Sequence, residues 1–308
     1  MKTKSNSIKD IKEYICNELK NKYSDNEIKS LTNILFKEYA YLDAAYLLAF
    51  ENDTINESSL LNIVLATQRL KKHEPIQYII GKTDFLNIKL EINSNVLIPR
   101  PETEEMAQII IQENQRTNLK IIDICAGSGC IALALNKNIP QSNVIGTDIS
   151  PKAIETAKKN NEINNLNTKF YLFDFLSITD NENNQIDCKN NQLDYSNNQP
   201  DCFNDKFDII VSNPPYVMEK EKSAMQKNVL NYEPSIALYV KDENPLIFYK
   251  KLVFFASKHL KTCGKMYLEV NASLANDTCA LFSNSQFITE VREDIFNKKR
   301  FLFLQKKA

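Results

Sequence analysis

The chain has 308 residues, 43% hydrophobic and 25% charged, enough apolar sequence for one α/β domain plus a smaller one. Its formal net charge of −1 excludes a uniformly basic, nucleic-acid-binding surface. Seven cysteines with no Cys-x-x-Cys pair argue for a reducing, cytoplasmic setting and against a disulfide framework or a zinc site, and neither a leader-like apolar stretch after residues 1–6 nor a run of membrane-spanning length is present.

Residues 1–74 contain neither Gly nor Pro. Apolar residues recur at helical spacing: Ile8, Ile11, Ile15 and Leu19; then Ile28, Leu31 and Leu35; then Leu60, Leu61, Val64 and Leu65. This predicts a small all-helical domain over 1–72. Ser24 with Glu27 has the spacing of a capping box opening the second helix. The periodicity by itself marks a packing or substrate-docking module. From Pro75 the texture changes, and Pro75, Gly81, Pro99 and Pro101 punctuate a β-hairpin linker expected over 73–100. Its strands are predicted at 76–80 and 86–92.

A helix over 103–114 leads into a strand over 120–124, a helix over 130–136, a strand over 143–147, a helix over 151–161 and a strand over 169–173. Pro151 sits in a first helical turn. Later strands are expected at 207–212, 265–270, 287–292 and 301–305. Alternating strands and helices predict an α/β domain over 101–308 with a mostly parallel, doubly wound, Rossmann-like sheet of seven strands. The last two strands lack a helical spacer and are predicted to form an antiparallel edge hairpin. Residues 181–205 carry an Asn/Gln-rich seven-residue repeat, read as a disordered, functionally inert insertion.

Only five glycines occur, and two of them share one loop. Strand 120–124 runs through Asp123 into Cys125, Ala126, Gly127, Ser128 and Gly129, and a helix follows. Glycines permit a sharp turn and a close approach of ligand to backbone, and the helix N-terminus offers free N–H donors. Asp148 ends the next strand, 19 positions after Gly129, where a carboxylate can accept both hydroxyls of a ribose. The pattern also satisfies a dinucleotide fingerprint, so a nicotinamide-dependent dehydrogenase competes with a methyltransferase. Asp123 tips the balance, because a carboxylate there can accept from a methionine amino group and would sit poorly beside a pyrophosphate.

Strand 207–212 ends in Asn213, Pro214, Pro215 and Tyr216, at the strand edge where open α/β sheets bind ligands. Two prolines make the turn rigid and donate no N–H, so neighbouring carbonyls are left to accept. With the Asn213 amide oxygen, two acceptors and the Tyr216 ring suit a planar –NH2 group. Gripping both N–H bonds would aim the nitrogen's third direction at an electrophilic methyl. Orientation and preorganised acceptors answer the poor nucleophilicity of an amide nitrogen. No general base is required, and His73 and His259 are read as structural.

Together these residues resemble the HemK/PrmC family of release-factor glutamine methyltransferases. Asp123-x-x-x-Gly127-x-Gly129 and Asn213-Pro214-Pro215-Tyr216 are shared with many amino-methyltransferases, including nucleic-acid enzymes. More specific are His73 through Gly81, the Ile98-Pro99-Arg100-Pro101-Glu102-Thr103-Glu104 run, and Tyr232-Glu233-Pro234. The resemblance implies a class I methyltransferase domain and S-adenosyl-L-methionine as cofactor, with no metal. The cofactor would be held by Asp123 and loop 125–129, by Asp148 at the ribose, by Asp174 with Phe175 at the adenine, and by Asn213. Asn213 through Tyr216 would hold the substrate glutamine, which belongs to the Gly-Gly-Gln loop of bacterial class-1 peptide chain release factors, with no direct nucleic-acid substrate. Cys125 stands where the family usually has Gly, and Phe175 where it often has Trp. Three readings stay open: a ribosomal protein L3 glutamine methyltransferase, a nucleic-acid amino-methyltransferase, and a catalytically dead docking protein.

Overall fold

The computed structural model describes residues 3–178, 206–283 and 286–308, so the repeat at 181–205 lies outside the described residues. The chain divides into two compact units, Met1–Gly81 with Gln226–Tyr232, and Lys82–Met225 with Glu233–Ala308.

The first unit is helical: α1 (Ile8–Leu19), α2 (Asp25–Tyr39), α3 (Ala44–Ala49), α4 (Glu57–Leu70) and α5 (Ile76–Ile80). Its helices start where short polar side chains can replace the missing backbone acceptors. Ser7, Ser24, Asp43 and Asn56 each accept a backbone N–H, and Ser24 with Glu27 closes a full capping box. The helical spacing buries Ile8, Ile11, Ile15, Leu19, Ile28, Leu35 and Leu60 in one core with Phe36, Ile63 and Leu70, whereas Leu61 and Leu65, counted on the same stripe, are exposed.

Residues 76–80 correct the expected strand. Pro75 at the start and Gly81 at the end, the latter at φ 80°, frame one helical segment, and that frame outweighs the β-branched composition. The Arg69 guanidinium donates to the Tyr78 and Ile79 carbonyls at 3.3 and 3.2 Å, acceptors a helix end leaves exposed.

The second unit opens with a hairpin of β1 (Lys82–Phe85) and β2 (Ile88–Glu91). Leu86 and Asn87, expected inside a strand, form its turn at φ 42° and 66°, the two positive values that match the strands' twist. The Leu86 N–H donates to Glu104 Oε1 at 2.8 Å, and Lys137 Nζ donates to the Asn87 carbonyl at 2.7 Å. These contacts hold a Leu where Gly or Asn is usual.

Next come α6 (Pro101–Glu113), β3 (Lys120–Ile124), α7 (Cys130–Asn138), β4 (Asn143–Asp148), α8 (Pro151–Ile163), β5 (Lys169–Leu172), β6 (Phe207–Ser212) and β7 (Val217–Met218). Then follow α9 (Lys227–Tyr232), which belongs to the first, helical unit, and, in the second unit again, β8 (Tyr239–Val240), α10 (Ile247–His259), β9 (Leu260–Glu269), α11 (Ala275–Ser283), β10 (Phe287–Glu293) and β11 (Lys299–Lys306). Seven strands make one sheet in the order β10-β11-β9-β6-β3-β4-β5. The five strands from β9 to β5 are parallel, and β10 and β11 pair antiparallel at the edge, as the missing helical spacer required. Strands β3 and β6, covered on both faces, read as near-continuous apolar runs, with Ile121, Ile122, Ile209, Ile210 and Val211 at 0 or 1% exposure. Because β3, β4, β5 and β6 run parallel, their carboxyl ends and following loops gather along one edge of the sheet.

Candidate active site

That edge borders a cavity of about 460 Å³, within the usual range for a small-molecule site. Four strand ends contribute. From β3 come Cys125, Ala126, Gly127 and Ser128; from β4 Asp148; from β5 Asp174 and Phe175; from β6 Asn213 and Pro215.

The loop after β3 is folded by its own backbone and by Asp148. The Gly127 N–H donates to Asp148 Oδ2, and the Ser150 N–H to Asp148 Oδ1, each at 2.9 Å. Burial raises the Asp148 carboxyl above its ordinary range. Each of its oxygens keeps further lone-pair capacity, so a diol can still be accepted from the cavity side. Gly129 ends the turn at φ 81°, and a Cβ there would stand 2.9 Å from the Phe170 ring. Both facts demand glycine. Cys125 also sits in the left-handed region, at φ 65°, where an L side chain is strained. Burial and the nearby Asp148 and Asp123 carboxyls push its thiol well above the ordinary range, so it is a poor nucleophile.

Asp123 lies behind the wall and not in it. It is fully buried, and its Oδ2 accepts the Ala132 N–H at 3.1 Å, inside the first turn of α7. Its Oδ1 has no hydrogen-bond partner. Burial pushes this carboxyl up to about 8. Gly129 and Pro214 likewise shape the loops without facing the cavity. Phe175 packs edge-on against Phe255 with ring centroids 5.6 Å apart, and Asp174 Oδ1 accepts the Leu176 N–H at 3.0 Å.

Tyr216, expected as an aromatic wall, is turned elsewhere. Its hydroxyl donates to Glu269 Oε1 at 2.8 Å, and the Arg300 guanidinium lies 5.4 Å from its ring centre. Asn213 does face the cavity, with its Nδ2 donating to Thr103 Oγ1 at 3.1 Å. Thr103 in turn donates to Glu269 Oε2 at 2.7 Å. Glu269 is fully buried at the end of β9, and burial pushes its carboxyl up to about 6.

The run from Ile98 to Glu104 is tied down at Ile98, Arg100, Thr103 and Glu104. The fully buried side chain of Glu233 accepts from Arg100 Nη2 at 2.6 Å and from the Ile98 N–H at 3.3 Å. Thr103 reaches Glu269, and Glu104 holds the hairpin turn. Neither histidine borders the cavity. His259 stacks on Phe255 at 4.7 Å, and His73 lies 5.9 Å from the Tyr23 ring.

Thr103, Glu233, Glu269 and Arg300 received no role from sequence reasoning. One signal was available for Glu269: an acid closing an apolar strand of a parallel sheet, the argument that singled out Asp148. Arg300 lies on β11, the antiparallel strand between β10 and β9, and no local pattern marks it.

Family models match residues 10–81 as a PrmC N-terminal domain and residues 115–280 as a methyltransferase domain. The chain is 36% identical to a release factor glutamine methyltransferase of Flavobacterium psychrophilum, across 91% of this chain and 92% of that protein. It is 35% identical to one of Bacteroides thetaiotaomicron, across 94% and 96%. A third, from Streptococcus pneumoniae, is 38% identical across 79% and 75%.

Proposed function

The chain belongs to the release factor glutamine methyltransferase family, and from that premise we propose that it transfers a methyl group from S-adenosyl-L-methionine to the side-chain amide nitrogen of the glutamine in the Gly-Gly-Gln loop of bacterial class-1 release factors. The observation that carries the reading is the cavity itself, which brings the Gly127–Gly129 turn, Asp148 and Asn213 to one sheet edge.

The cofactor, when bound, supplies a methyl group already activated by a sulfonium centre. The residues fit such a group by their chemistry. Asp148 offers carboxylate lone pairs toward a ribose, and the loop at 125–129 offers backbone close to the ligand. Asp174 and Phe175 line the wall assigned to adenine. Asn213 offers an acceptor to the substrate amide, and the Pro214-Pro215 backbone keeps that acceptor rigid. Holding the nitrogen in line lowers the entropic cost of the displacement, in which the nitrogen would take the methyl, the sulfur would leave as a neutral thioether, and one N–H proton would pass to solvent.

The helical unit, with residues 1–72 at its centre, is assigned to docking of the protein substrate. The cytoplasmic setting is supported by Cys16, Cys125, Cys130, Cys263 and Cys279, all free thiols. Among the described residues, no helix is long and apolar enough to cross a membrane, and no cluster of potential metal ligands occurs.

The test incubates the protein with labelled S-adenosyl-L-methionine and, separately, a class-1 release factor, ribosomal protein L3, tRNA, rRNA and DNA. Label on the release factor, abolished by replacing its loop glutamine, is the expected result. Label on L3 or a nucleic acid alone would overturn the reading, as would undetectable cofactor binding by calorimetry.

A further inference from the structure

Behind Asn213 runs a buried chain of hydrogen bonds whose direction is set at its far end. Glu269 is fully buried and accepts twice, from Tyr216 at Oε1 and from Thr103 at Oε2. An ionised carboxylate can only accept. A threonine hydroxyl has one hydrogen, and here it is given to the carboxylate. What Thr103 has left for Asn213 is a lone pair, so it takes the Nδ2 end of the carboxamide at 3.1 Å. The Oδ1 end of Asn213 is then the end left for other partners.

We propose that Thr103 and Glu269 are positioning residues that fix which end of the Asn213 carboxamide meets the substrate, presenting Oδ1 as an acceptor. The inference rests on the amide-methyltransferase reading above. The two ends of a carboxamide are nearly identical in shape, so packing alone cannot choose between them. A flipped Asn213 would set its own –NH2 against the substrate –NH2, donor against donor. The acceptor-only carboxylate at the end of the chain removes that choice. Neither Thr103 nor Glu269 needs to touch the reacting atoms.

The groups facing Glu269 are Tyr216 from the loop after β6, Thr103 and Glu102 from α6, Arg300 from β11 and Tyr249 from α10, whose hydroxyl donates to the Glu269 carbonyl. Burial and Glu102 favour the neutral acid, while Thr103, Tyr216 and Arg300 favour the carboxylate. A carboxyl pushed up to about 6 is ionised at pH 7.5. Below that range it gains a proton that can be donated to Thr103, and the reversed polarity becomes available.

The experiment compares wild type with Thr103→Val, Thr103→Ser and Glu269→Gln. It measures kcat and KM on a release factor, cofactor affinity by calorimetry, and the pH dependence of kcat from 5 to 8. Thr103→Val should lower kcat roughly tenfold to a hundredfold, the scale of a small misplacement of a reacting group, with cofactor affinity little changed and a lower melting temperature, because the buried Glu269 carboxylate loses a donor. Thr103→Ser restores the hydroxyl and should restore kcat. Wild-type kcat should fall as pH drops through about 6, and Glu269→Gln should be slower with that limb absent. In parallel, the Asn213 side-chain amide resonances, identified by their loss in Asn213→Asp, should titrate near the same pH in wild type and not in Thr103→Val. That readout needs no substrate. If wild type transfers no methyl to the release factor but the resonances titrate as expected, the function fails and the orientation device stands. Wild-type-like turnover by Thr103→Val, no rescue by Thr103→Ser, an acid limb kept by Glu269→Gln, or amide resonances indifferent to pH would each overturn the proposal.

Discussion

The two sides of the cavity are built on different length scales. The loop after β3 is held from nearby in the chain, by its own turn, by Asp148, which takes the Gly127 N–H, and by Asn160, whose Nδ2 donates to the Ser128 carbonyl. The loop after β6 is held from across the domain. Asn213 leans on Thr103, which is 110 positions away in the chain, and Thr103 leans on Glu269, a further 166 away. A cofactor that presents the same phosphate-free, diol-bearing surface on every turnover can be met by a short local motif. A protein amide that must be gripped at a fixed angle needs a frame whose rigidity comes from several elements.

The largest effect should come from breaking the second frame at its tip. Asn213→Ala removes the acceptor while leaving the loop after β3 intact. Turnover should fall by on the order of 10²–10³, as for loss of one preorganised polar contact, with cofactor affinity nearly unchanged. Single-turnover kinetics beside a cofactor titration separates the two, and near-normal transfer would reduce the loop to a scaffold.

Asp148→Ala should do the reverse. It deletes the acceptor proposed for the ribose and releases the Gly127 N–H, so cofactor affinity should weaken by about 1.5–3 kcal/mol, the scale for hydrogen bonds to a charged group. Turnover at saturating cofactor should change far less. Unaltered affinity in a folded variant would end the assignment.

An effect on stability, with no change in activity required, sharpens the picture of the first frame. The Asp123 carboxyl is neutral in the fold until about pH 8 and ionises near 4 when unfolded. Its folded value is raised, so its contribution to stability is intact at low pH and is lost as pH rises toward 8. Asp123→Asn keeps an oxygen for the Ala132 N–H and never ionises. Denaturant titrations at pH 5, 7 and 9 should show wild type losing stability by on the order of 1 kcal/mol per pH unit relative to the variant. Parallel curves would show that Asp123 is already ionised.

The smallest expected effect concerns Cys125, whose φ of 65° strains an L residue by about 1–2 kcal/mol. Glycine relieves that strain but gains freedom in the unfolded chain, so Cys125→Gly should stabilise by less than about 1 kcal/mol, read as a small rise in melting temperature. A fall would mean that the thiol packs better than its backbone suffers.

The sequence by itself determined several elements whose cause is local. Alternation of strand and helix periods defined the parallel sheet, the missing spacer before β11 predicted the antiparallel edge, and Ser24 with Glu27 marked the start of α2. The Gly127–Gly129 turn and Asp148 were legible because their partners lie within about 20 positions. Where two local signals conflicted, composition misled. Residues 76–80 are rich in β-branched side chains, yet Pro75, Gly81 and the donors of Arg69 make them helical. Leu86 turns because Glu104 and Lys137 hold its turn. Tertiary structure alone decided what supports Asn213. A run such as Ile98 to Glu104 shows that its residues matter without showing what they touch, and Tyr216 points its hydroxyl at Glu269 and not into the cavity for the same reason. A buried carboxylate requires several donors, and only the folded sheet brings Thr103, Tyr216 and Arg300 around the one at the end of β9.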